Sequence, residues 1–89
     1  MPIDVKKAVQ LAREYLSEVL QVPISELLLE EVELSGDQQF WSITLSYPAP
    51  SRSPIEVALG QGGRAYKIVR LEADTGKFMS IKIRSLVSV

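Results

Sequence analysis

Glu30, Glu31 and Glu33 are the densest group of acids in this 89-residue chain. Paired carboxylates serve as acid and base in glycoside hydrolysis, and as oxygen ligands for calcium. The spacing suits neither. On a strand Glu31 and Glu33 share a face and Glu30 points to the other, and the oxygen-rich loop of a calcium site is missing. The chain has no His and no Cys. That removes the commonest general base, the commonest metal ligand, thiolate nucleophiles and disulfides. An enzyme would then need a Lys, or a Ser with an unusual base. Gly60-Gln61-Gly62-Gly63 is not a phosphate loop, because no Lys-Ser or Lys-Thr follows and a strand rather than a helix comes next. The expectation is no catalytic residue, no cofactor and no metal, with the glutamates solvated.

A second group has more to offer. Phe40, Tyr66, Ile68, Arg70, Phe78, Lys82 and Arg84 mix aromatic, aliphatic and cationic side chains. Aromatics beside arginine are favoured at the centres of protein interfaces. Aromatics with flanking bases also stack on single-stranded nucleic acid. Either use requires that these residues share a surface.

The stretch 65–87 is what positions most of them. It reads as two alternating runs joined by Asp74-Thr75-Gly76, the signature of a β-hairpin with Gly76 in the left-handed position. A three-residue loop pairs Ala73 with Lys77, Leu71 with Met79, Val69 with Ile81 and Lys67 with Ile83. That register collects Leu71, Met79, Val69, Ile81 and Ile83 on one face. A slip of one residue would scatter them. The other face then carries Tyr66, Ile68, Arg70 and Glu72 with Phe78, Ser80, Lys82 and Arg84. The run 40–47 alternates in the same way. Trp41, Ile43, Leu45 and Tyr47 are its core side; Phe40, Ser42, Thr44 and Ser46 extend the outer face.

The N-terminal third reads as a helix. Asp4 is a suitable cap, and Val5, Ala8, Val9, Ala12, Leu16, Val19 and Leu20 recur at helical spacing, with Leu11 and Tyr15 widening the stripe. Ala8 and Ala12 let the helix lie close to a sheet. Pro23 stops it near Gln21. Residues 23–26 form a connector with Ser25 as the cap of a short turn. Leu27 to Leu34 fits a helix or a strand. The strand is preferred because Leu28, Val32 and Leu34 alternate, Ser35-Gly36-Asp37 is a turn signal and a strand follows. Glu30 breaks the alternation. Residues 48–63 hold three prolines and three glycines, and form a long, flexible loop within the domain.

Size and composition bound these readings. Eighty-nine residues make a single domain, and 46% hydrophobic against 24% charged is too apolar for a disordered chain. One helical layer on one sheet is about all that such a chain can build. The expected fold is therefore α+β, one N-terminal helix on a four-stranded antiparallel sheet in the order α-β-β-β-β. The N-terminus is not patterned as a signal peptide, no run is long enough to span a membrane, and the absence of cysteine gives no reason to place the chain in an oxidising compartment. A cytoplasmic protein without membrane contact is expected. Net charge is −1, but residues 1–47 carry −5 and residues 48–89 carry +4.

Three segments resemble a known family: the helix AVQLAREYLSEVL, the strand FWSITLSY and the ending YKIVRLEADTGKF. The last is similar to the V-x-V-D-x-x-T-G-x-V ending of PepSY-like domains. The chain resembles the small stand-alone bacterial proteins of this PepSY-like, cystatin-like shape. The resemblance implies a regulatory or inhibitory module with no shared catalytic centre. The Gln-x-Val-x-Gly wedge of true cystatins is absent, so a cysteine-protease inhibitor is not expected. The expected function is a non-catalytic protein-binding or regulatory module, self-association through the outer sheet face included. The alternatives are a single-stranded nucleic-acid binder and a small-molecule or inhibitor-like domain.

Overall fold

Asp4 caps helix α1, Val5–Leu20, by accepting the Lys7 backbone N–H at 2.8 Å. At the other end Gln21 is left-handed, with φ of 56°, and the Ser17 hydroxyl donates to the Val22 carbonyl at 2.6 Å. Pro23 follows, so the helix ends where its chemistry requires. The computed structural model describes residues 2–49 and 63–83.

A short 3₁₀ turn, Ile24–Glu26, leads into the sheet. Ser25 makes no side-chain cap there, contrary to the sequence reading; Pro23 holds the cap position. The strands are β1 Leu28–Leu34, β2 Phe40–Ala49, β3 Gly63–Glu72 and β4 Phe78–Ile83. They lie in the order β1-β2-β3-β4, every neighbouring pair antiparallel. This is the expected α+β fold, with the helix packed on the sheet. The ambiguous segment 27–34 is a strand.

The core is where α1 crosses the middle of the sheet. Ala8, Ala12 and Leu16, four residues apart, are fully buried against Ile43, Leu45, Val69 and Leu71. Leu27 belongs to the same cluster. Trp41 and Tyr47 pack on it from the expected face of β2. Val5 and Val19, read as part of the helical core stripe, stand instead at its rims and are exposed. No helix among the described residues is long and apolar enough to cross a membrane.

The strands extend into the stretch read as a loop. Pro48 faces Arg64 and Ala49 faces Gly63. Pro48 lies beyond the last β1–β2 pair, so its missing N–H leaves no gap in that ladder. The remainder, 50–62, lies outside the described residues.

Two irregularities set which way side chains point. In β1 the register shifts between Leu29 and Glu31, leaving Glu30 without a partner across the strand. Leu28 therefore faces Ser46 and turns away from the helix, while Leu29 faces Leu45 and turns toward it. The expected alternation of Leu28 with Val32 and Leu34 is thus corrected.

In the hairpin, Gly76 is left-handed as expected, with φ of 76°, and Val69–Ile81 and Lys67–Ile83 pair as read from the sequence. Near the turn, however, Leu71 faces Phe78 rather than Met79. The reason is Ala73. Its N–H donates to Gln39 and its carbonyl accepts from Ile3, so its backbone is committed outside the hairpin. The ladder closes instead with the Glu72 N–H donating to the Lys77 carbonyl at 2.8 Å. Met79 is the extra residue, 52% exposed.

Candidate interaction face

The side of the sheet away from α1 is built by alternation. Phe40, Ser42, Thr44 and Ser46 on β2 stand opposite Glu72, Arg70, Ile68 and Tyr66 on β3. β4 continues the rows, with Ser80 opposite Arg70 and Lys82 opposite Ile68. On β1, Glu33 faces Ser42 and Glu31 faces Thr44. One row thus crosses the whole sheet: Glu31, Thr44, Ile68, Lys82. It has an acid at one edge, an aliphatic side chain on an inner strand and a cation at the other edge.

Arg70 is the polar centre of this face. Its guanidinium carbon sits 4.6 Å from the centroid of the Phe40 ring. The two residues are diagonal neighbours across β2 and β3, a geometry that lets a long side chain lie over an aromatic one. Such a contact contributes about 0.5–1 kcal/mol at a partly exposed site. It also biases the guanidinium toward the aromatic ring.

A second cluster was not legible in the sequence. The Ser46 hydroxyl donates to Glu30 Oε2 at 2.5 Å and accepts from Arg64 Nε at 3.0 Å and Nη2 at 2.9 Å. One hydroxyl thereby bridges a carboxylate and a guanidinium, the donor and acceptor roles of serine used together. The bulge is what brings Glu30 there; plain alternation would send it to the helix side. The broken alternation at Glu30 was the only local hint. Ser46 is fully buried, which shields its oxygen from any substrate, so the cluster is a clasp between β1, β2 and β3.

Of the residues singled out by sequence, Phe40, Tyr66, Ile68, Arg70 and Lys82 do share the outer face. Phe78 does not. Its position opposite Leu71 places it on the helix side, where its ring lies 5.4 Å from that of Tyr15. Arg84 lies outside the described residues. Leu28, half-exposed and opposite Ser46, joins the outer face instead. Glu31 and Glu33 share a face as expected, and the pairing with Thr44 and Ser42 makes it this one. Among the described residues no three acids gather as a metal site. Compared with known proteins, the chain matches no family model, no curated protein and no solved structure.

Proposed function

We propose that this chain is a non-catalytic binding module that takes a protein partner on the outer face of its sheet. The observation that carries the reading is the Arg70–Phe40 stack next to Ile68, on the side that α1 leaves free. A guanidinium beside aromatic and aliphatic surface is the composition that interface centres favour. The resemblance to PepSY-like regulatory modules belongs with this reading, as does a cytoplasmic setting for a chain without cysteine.

Single-stranded nucleic acid is the weaker reading. Arg70 and Lys82 would attract phosphates, but Glu33 and Glu72 stand on the same face and would repel them.

Light scattering behind a sizing column, with wild type beside Ile68→Glu, tests the proposal. A wild-type dimer that the substitution converts to a folded monomer identifies the partner as a second copy. If the wild type is a monomer, capture from native lysate follows. A partner held by wild type and lost with Ile68→Glu supports the face. Association or capture that survives the added charge, with far-UV circular dichroism unchanged, rejects it.

A further inference from the structure

The helix covers the middle of the sheet and leaves one flank of the same side open. Val5, Val9 and Arg13 succeed each other at one-turn spacing along α1. Facing them are Ile24 of the 3₁₀ turn and Leu29, which the β1 bulge turns toward the helix. Between them runs an open groove of about 530 Å³. Small-molecule sites typically occupy about 300–1,000 Å³. Val5, Ile24 and Leu29 are each more than two-fifths exposed, so apolar surface is left uncovered here.

Among the described residues the polar members of the lining are Lys6, Gln10 and Arg13, with no carboxylate beside them. The two charges therefore have one sign. Arg13 adds a further demand. Its Nε is buried with no hydrogen-bond partner. A buried donor left in that state is costly, and a guanidinium is best satisfied by a carboxylate bridging two of its nitrogens. A lysine such as Lys6 can lend its apolar stem to such a groove while its ammonium stays in water.

We propose that this groove binds a free medium-chain fatty acid. The acyl tail lies on Val5, Val9, Ile24 and Leu29, and the carboxylate accepts from Arg13. Burial of methylene groups supplies the attraction, and the guanidinium sets the direction of the chain. The site lies on the helix side, opposite the proposed protein-binding face, so neither reading depends on the other.

Dodecanoate, kept below its micelle concentration, tests this by calorimetry and by amide shifts on the full chain. The expected result is one saturable site, with shifts confined to the first turns of α1, Ile24 and Leu29. Arg13→Gln weakens binding about tenfold or more, the loss expected when a hydrogen bond to a charged group is removed. Leu29→Asp, on an exposed edge position, abolishes saturation with unchanged circular dichroism. Dodecyltrimethylammonium, with the same tail and the opposite charge, does not saturate. The proposal is overturned if dodecanoate gives no saturable signal, if Arg13→Gln binds it as tightly, or if the ammonium amphiphile competes equally. It is also overturned if an acidic peptide shifts these amides and dodecanoate does not.

Discussion

The ring of Phe78 packs against that of Tyr15, with centroids 5.4 Å apart and planes tilted by 42°. The contact ties the start of β4 to the middle of α1. It exists because one extra residue, Met79, is accommodated in β4 before the ladder resumes at Ser80. An aromatic that simple alternation assigns to the outer face thus becomes part of the helix–sheet seam.

Phe78→Ala should therefore lower stability and leave partner binding alone. At 36% exposure the cost falls below that of a fully buried ring, at about 1–2 kcal/mol. Urea denaturation measures it. A double-mutant cycle with Tyr15→Ala should show a coupling of about 0.5–1.5 kcal/mol. A Phe78 variant of unchanged stability that loses its partner would put the side chain back on the binding face.

Gly76 is required twice over. Its φ of 76° is left-handed, and a Cβ added there would sit 2.5 Å from Leu11 Cδ1. Gly76→Ala should cost about 1–2 kcal/mol for the backbone, with about 1–3 kcal/mol more for the clash. The Leu11 methyl is the end of a side chain able to turn, so combining Gly76→Ala with Leu11→Ala should cost less than the two changes added. Strict additivity in thermal melts would show that the clash is not felt.

Asp37 gives a pH dependence with a definite sign. The Ser35 hydroxyl donates to it at 2.6 Å and the Gln39 N–H at 3.1 Å, and these bonds hold its carboxyl below the usual 3.8. A carboxylate depressed in the folded state contributes stability above its unfolded value. That contribution is lost as pH falls from about 3.8 through the lower folded value. The stability gap between wild type and Asp37→Asn should be full at neutral pH and close below that range. A gap that stays constant from pH 7 to pH 2 would exclude the linkage.

The Ser46 clasp predicts a stability defect away from the helical core. Ser46→Ala removes the hydroxyl that serves both Glu30 and Arg64, and should cost about 1–2 kcal/mol. Ser46→Thr keeps the hydroxyl and should retain part of it. Hydrogen exchange localises the effect: amides of β1 should lose protection before those of β3 and β4.

Much of the architecture follows from short-range chemistry alone. Asp4 as a cap, Pro23 as a stop, Gly76 in the turn and the strict alternation of β2 all act within a few residues, and each appears as the sequence implies. The five outer-face residues Phe40, Tyr66, Ile68, Arg70 and Lys82 were legible for the same reason, since a period of two is local. What tertiary structure decided lies at the two register shifts. Ala73 bonds to Gln39 and Ile3 rather than across its own hairpin, and that long-range choice moves Phe78 to the helix. The shift at Glu30 sends Leu28 outward, Leu29 into the groove and the Glu30 carboxylate to Ser46. A single inserted residue reverses side-chain parity without changing composition, and its position depends on partners distant in sequence.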